Sequence, residues 1–284
     1  MIERVSEHAL RLGDARVDLL DGGTFGLDGG AMFRVVPRAL WAPLLPPDEQ
    51  NRVTLGIRPL LVRTAGRTLL LDAGIGPERR DARFAERVAL RAGPPLEEQL
   101  AGLGVAEDEV DLVVLTHLHF DHAGGLLRAD GRPRFPRARV VVQHDELADA
   151  AADCPLCRAS YVQDDWAPLT DLLAPLRGDA DVAPGVRVTR TGGHTRGHQV
   201  VRVEAGGAAL VFWGDLVPTA AHLRPHWVMG FDLYPVEAYE AKRDLLAPAV
   251  AAGAVHVLYH EPGQALGRVV VDADGRGQRL EAIT

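Results

Sequence analysis

The chain is short of several things, and each shortage excludes a class of protein. Its 284 residues contain two cysteines, Cys154 and Cys157, as a single CxxC. That is too few for a disulfide framework, and no second CxxC completes a four-ligand zinc knot, so the pair reads as structural or incidental. Lys242 is the only lysine, and basic residues (31 with arginine) are outnumbered by acidic ones (39), for a net charge of −8. This balance, with no basic tract that carries interleaved aromatics, argues against a nucleic-acid backbone as partner. No stretch approaches 18 uncharged apolar residues, so no membrane span is expected. The opening "MIERVSEHALRLGDARVDLL" has no apolar signal core, which makes the cytoplasm the expected compartment. Arginine in place of lysine, with many alanines and glycines, points to a GC-rich bacterial genome and carries no chemistry.

What is present is an ordinary globular balance, 47% hydrophobic and 25% charged, in a length that suits one large α/β domain over 1–284. Short apolar runs read as strands in "RTLLLDAGIG" (67–76), "VDLVVLTH" (110–117), "ARVVVQHDE" (138–146), "VRVTRTGGH" (186–194), "HQVVRVEAG" (198–206), "AALVFWGD" (208–215) and "AVHVLYHE" (254–261). Helical spacing with a glycine stop marks "PPLEEQLAGLG" (94–104) and "PVEAYEAKRDLLAPAVAAG" (235–253). Strands and helices alternate, with some strand–strand pairs, which predicts α/β layers with mixed sheets. His117, His194, Asp215 and His260 each follow an apolar strand, and strand ends along one sheet edge are where α/β folds place their sites.

The densest chemistry is "THLHFDHAGG" (116–125). His117 and His119 are two apart, so an extended segment points both imidazoles the same way. Asp121 and His122 follow at a turn and offer donors to a second, displaced ion. Each ion needs about four or five ligands, and His194, Asp215 and His260 extend the set. A carboxylate such as Asp215 can bridge two cations that share a hydroxide, whose pKa falls to about 7. His198 is a candidate to orient His194 or Asp121, with a structural role as the alternative. His144 reads as a helix start with Asp145 as cap partner, His256 as a structural strand residue, and His222 and His226 as loop-packing residues.

His117-x-His119-x-Asp121-His122, followed by His194, Asp215 and His260, resembles the metallo-β-lactamase-fold hydrolases, and "LLLDAGIG" (69–76), with Asp72, is similar to that family's early strand and acidic turn. The resemblance covers most of the chain. It implies a four-layer αβ/βα sandwich with two mixed β-sheets and a dinuclear site on its edge. His117, His119 and His194 would hold one ion, and Asp121, His122 and His260 the other, with Asp215 bridging. The ions would be zinc, with manganese or iron as alternatives for the same donors. Asp215 stands where the drug-hydrolysing members carry cysteine, which argues for the wider hydrolase group. "THLHFDHAGG" and "GGHTRGHQ", with support from "RASYVQDDWAPL" and "MGFDLYP", look most like the N-acyl homoserine lactonases.

The resemblance implies hydrolysis of a small-molecule lactone or ester, with Asp121 passing a proton to the leaving group; phosphoester hydrolysis and an iron-dependent sulfur dioxygenase-like oxidation are the alternatives. A lactonase carries a tyrosine three residues beyond the bridging aspartate, and here that position is Pro218; Tyr234 or Tyr161 is the expected stand-in. Two segments, 22–52 and 219–235, read as irregular loops bearing Phe25, Met32, Phe33, Trp41, Trp227, Met229 and Phe231. They would form an apolar substrate wall, pack as ordinary loops, or make a homodimer contact.

Overall fold

The computed structural model describes residues 2–152, 155–271 and 278–283. Eight strands form one sheet, in spatial order Ile2–Ser6, Ala9–Leu12, Ala15–Leu19, Leu60–Thr64, Arg67–Leu71, Leu112–Val114, Arg139–Gln143 and Leu173–Leu176. Seven form a second: Ala180–Ala183, Val186–Arg190, Gln199–Ala205, Ala208–Phe212, Val255–Val257, Leu266–Val271 and Gln278–Glu281. Both sheets are mixed. The first becomes parallel from Arg67–Leu71 onward, and the second has one parallel step, between Ala208–Phe212 and Val255–Val257.

The strand sequences explain the layering. Side chains alternate across a strand, and a strand buried on both faces must be apolar throughout. In Arg139–Gln143, Val141 joins a core shared by both sheets, while Val140 and Val142 join a second core on the outer face. In Arg67–Leu71, Leu69 and Leu71 face inward and Leu70 outward. The shared core is built by Val17, Val62, Leu69 and Val114 from one sheet and Val188, Val201, Leu210 and Val257 from the other. Outside the first sheet lie helices Leu96–Gly102 and His144–Ala151, through Leu100 and Ala150. Outside the second lies helix Pro235–Ala251, through Ala238, Leu246 and Ala249. The result is helix, sheet, sheet, helix, as the sequence predicts.

Parallel pairing places the site. A parallel step needs a crossover: Leu96–Gly102 lies in the crossover to Leu112–Val114, and Pro235–Ala251 in the crossover to Val255–Val257. The crossovers bring strand C-termini to one edge of each sheet. Asp72 follows Leu71, His117 lies three residues after Val114, Asp215 three after Phe212, and His260 three after Val257.

One expectation is corrected. Segment 22–52 is not irregular: Gly23–Asp28 pairs antiparallel with Arg52–Gly56 and with the short Arg91–Ala92, making a third, three-stranded sheet. Glycine hides the alternation. Gly23 has φ 91°, and a Cβ there would lie 2.0 Å from the Arg91 carbonyl oxygen, so the close strand approach excludes a side chain at this point.

Gly193, one residue before His194, has φ 82°, and a Cβ there would meet the Ala238 backbone at 2.6–2.7 Å; Gly66 has φ 73° with open space around it. Both positions strain an L-residue, but only Gly193 also seats a loop against the long helix. Gly193→Ala is expected to lower unfolding free energy in urea by about 2–4 kcal/mol, and Gly66→Ala by about 1 kcal/mol.

Candidate metal centre

Seven side chains converge at this edge. His117, His119 and His194 form one close group, Asp121, His122 and His260 another, and Asp215 joins His117 and His122 in a third. All seven are buried. Asp215 faces both halves: its Oδ1 lies 3.2 Å from His122 Nε2 and 3.0 Å from His260 Nε2, and its Oδ2 lies 3.4 Å from His194 Nε2. Asp121 Oδ2 is 3.4 Å from His260 Nε2 and 3.9 Å from His122 Nε2.

The outer atoms of the rings are tied down. Asp72 has φ 54°, a left-handed conformation that aspartate tolerates. Its carboxylate accepts from the Thr116 amide at 2.7 Å and the Thr116 hydroxyl at 2.9 Å, and its Oδ2 lies 2.7 Å from His122 Nδ1. Since the Thr116 proton is committed to Asp72, its oxygen accepts from His117 Nδ1 at 3.0 Å. His194 Nδ1 pairs with Asp232 Oδ1 at 3.0 Å, and Asp232 Oδ2 accepts from the Met229 amide at 2.8 Å. His260 Nδ1 donates to the Gly56 carbonyl at 2.9 Å. These partners leave the inner nitrogens of His117, His122, His194 and His260 as Nε2 atoms turned toward one another, a recurring arrangement for histidine ligands. His119 turns Nδ1 inward, 3.1 Å from His194 Nε2.

A cation fits this set. His117 Nε2, His122 Nε2 and Asp215 Oδ1 are buried with no hydrogen-bond partner, and buried polar atoms are rarely left so. Burial, reinforced by neighbouring imidazoles, holds His117 and His119 well below the ordinary histidine value, so both stay neutral with a lone pair to give. Burial also lowers His122 and His194, but aspartates outweigh it and both are raised: Asp215, Asp72 and Asp121 act on His122, and Asp215 and Asp232 on His194. Burial would raise Asp215, yet His260, His122 and His194 hold it well below the carboxylate range. Positive charge is favoured among these carboxylates, and the donors are those that bind divalent transition metals.

Tyr234 lies apart. It precedes helix Pro235–Ala251, its amide donates to the Gly193 carbonyl at 2.9 Å, and its side is 37% exposed. Burial and Asp149 push its phenol upward, and the nearby charges are Asp149, Arg196 and Glu237. Among the described residues no hydrogen bond or ring contact joins it to the cluster. Tyr161 does reach the cluster, with its ring 4.8 Å from that of His119, but its hydroxyl donates to Glu146 at 2.9 Å. Pro218 contributes its carbonyl, which accepts from the His260 amide at 2.9 Å.

His198 is buried and accepts from the Asp215 amide through Nε2 at 3.2 Å, so this hydrogen bond goes to the Asp215 backbone rather than to His194 or Asp121. His144 opens its helix, but Gln143, not Asp145, occupies the cap position. Cys157 is buried, and Cys154 lies outside the described residues. Sequence reasoning gave no role to Thr116, Glu146, Asp232 or Tyr259. Tyr259 stacks on His122 at 4.2 Å and donates to the Asp121 carbonyl at 2.6 Å. Adjacency was the available signal, since Thr116 and Tyr259 each directly precede a metal-type histidine.

The two flanking segments interlock. His222 stacks on Phe33 at 4.7 Å, Phe33 stacks on Trp41 at 4.9 Å, and Trp227 meets Phe33 edge-on. His222 Nε2 donates to the Met32 carbonyl at 2.9 Å. Met32, Phe33, Trp41, Trp227 and Met229 are all buried, so loop packing, not an open wall, describes them. Lys242 is buried too; its ammonium donates to the Trp227 carbonyl at 2.7 Å, and burial lowers it to about 8.

A helix–sheet–sheet–helix sandwich with a histidine and aspartate cluster across its strand ends defines a metal-centred α/β protein. The family profile described as the metallo-beta-lactamase superfamily matches residues 57–260, and the chain belongs to that superfamily. A probable metallo-hydrolase of Mycobacterium tuberculosis is 34% identical over 177 residues, 55% of each chain, so the match spans about half the length of that relative. An N-acyl homoserine lactonase of Agrobacterium fabrum is 25% identical over 276 residues, 90% of this chain and 97% of its own. The crystal structure of a probable metal-dependent hydrolase from Staphylococcus aureus superposes with a TM-score of 0.89 at 30% identity, covering 96% of this chain and 99% of the other. Among the described residues no helix is long and apolar enough to cross a membrane.

His256, behind the centre, stacks on Trp213, accepts from its indole N–H at 3.0 Å, and is lowered by burial to about 4. An unfolded histidine titrates near 6.5. The neutral ring's contribution is therefore complete above about pH 6.5 and is lost as pH falls toward 4. Urea melts of metal-free protein across this window should show His256→Gln flattening the slope of stability against pH by about one proton, or ~1.4 kcal/mol per pH unit.

Proposed function

We propose that the protein is a dinuclear metal-dependent hydrolase acting on a lactone or ester. The observation that carries this is the divided carboxylate of Asp215, with Oδ1 toward His122 and His260 and Oδ2 toward His194. Two halves, one of three imidazoles and one of two imidazoles with Asp121, sharing Asp215, suit two ions better than one. Zinc is the first candidate, with manganese or iron as alternatives for this nitrogen and oxygen set.

Two such ions would supply a water of lowered pKa and an electrophile for the substrate carbonyl. His117, His119 and His194 would hold one, and Asp121, His122 and His260 the other. Asp121, beside His260 at the shared face, is suited to carry a proton to the leaving oxygen. Phe120, which directly precedes Asp121, is half-buried and rests edge-on against the buried Phe25 at 6.3 Å. Its apolar ring beside the cluster suits an acyl chain, and the Agrobacterium relative, an N-acyl homoserine lactonase, agrees with that chemistry.

Metal analysis of purified protein, followed by assays on acyl lactones, aryl esters and phosphodiesters, tests the reading. About two equivalents of metal per chain are expected, with turnover of the carbonyl substrates lost on chelation and restored by metal. Phosphodiesters turned over in preference to both carbonyl classes would reject the substrate assignment. His119→Ala and Asp215→Ala should each lower kcat/KM by roughly 10²–10³-fold with secondary structure kept. Tyr234→Phe should leave lactone kcat/KM within about threefold of the parent, because its phenol lies away from the cluster.

A further inference from the structure

We propose that Glu146 is a positioning residue for one half of the centre, that of His117, His119 and His194, and leaves the other half untouched. The inference rests on the two-ion reading above. Glu146 is the third residue of helix His144–Ala151 and is completely buried. Three donors from three separate segments satisfy it. The Leu118 amide and the Tyr161 hydroxyl each donate to Oε1 at 2.9 Å, and the Thr195 hydroxyl donates to Oε2 at 2.5 Å.

Each donor is next to a ligand of the same half. Leu118 separates His117 from His119, Thr195 follows His194, and the Tyr161 ring packs on His119. The segment carrying His194 is also seated on the start of the helix: a Cβ on Gly197 would meet the Glu146 amide nitrogen at 2.4 Å. The other half has different anchors, namely Asp72 for His122, the Gly56 carbonyl for His260, and Tyr259 for the Asp121 carbonyl. Thr116 links to both halves, whereas every bond of Glu146 serves one. A carboxyl group buried this deeply is costly, and an apolar side chain of similar size would fill the space more cheaply. Its geometric value is that a single rigid group fixes the spacing of two chain segments that are distant in sequence.

Stepwise zinc titration of the metal-free protein, read by calorimetry beside a thermal melt of the same sample, tests this. In Glu146→Ala one zinc step should weaken by about 10–100-fold while the other holds its parent affinity. Glu146→Gln, whose amide oxygen still serves Leu118 and Tyr161, should recover most of the loss. Asp72→Ala should weaken the opposite step and, through Thr116, also touch the His117 side. Combined with His260→Ala, Glu146→Ala should weaken the remaining step. If Glu146→Ala does not fold, Thr195→Val and Tyr161→Phe each remove one bond and should weaken the same step.

Two unchanged zinc affinities in a folded Glu146→Ala, or in both milder variants, would leave only a role in stability and overturn the proposal. Equal weakening of both steps would overturn it as well. A parent protein that takes up fewer than two zinc ions would instead defeat the two-ion reading, so the two failures are distinct.

Discussion

Five imidazoles and two carboxylates share one buried cluster, and the rest of the architecture answers the cost of keeping them there. Removing ionisable groups from water is expensive unless each finds a partner. Here the outer ring nitrogens find theirs in Asp72, Thr116, Asp232 and the Gly56 carbonyl. Of the inner atoms, His117 Nε2, His122 Nε2 and Asp215 Oδ1 have no hydrogen-bond partner, a lack that a cation placed among them would meet. The scaffold thus sets the orientation of these rings from outside.

The sheets make this possible by topology. Crossover helices return the chain to the same side, so apolar strands end at a common edge and deliver polar residues that are far apart in sequence. That much was legible, because each strand is a short apolar run and each ligand follows one at a similar distance. His117, His119, Asp121 and His122 sit within six positions and announce themselves, and His194, Asp215 and His260 share the pattern of strand followed by donor.

What was not legible has physical reasons. The strand Gly23–Asp28 carries glycines that blur its two-residue period, and its partners lie 24 and 63 residues further on, at Arg52 and Arg91 when counted from its last residue. Met32, Phe33, Trp41 and Trp227 read equally well as a substrate wall or as packing, since an aromatic side chain serves either and only burial decides. Tyr234 reads in the sequence as a phenol near the bridging aspartate's segment, but side-chain direction is set by how the long helix begins, which spacing does not encode. Glu146 and Asp232 act on the cluster through hydrogen bonds from other segments, and a linear string gives no hint of such pairings.

The stacked column of His222, Phe33 and Trp41 welds the two rim segments into one piece. Replacing either segment with that of a relative would require moving both together. A single exchanged half would arrive without the rings that its counterpart grips, so paired changes should be tolerated where solitary ones are not.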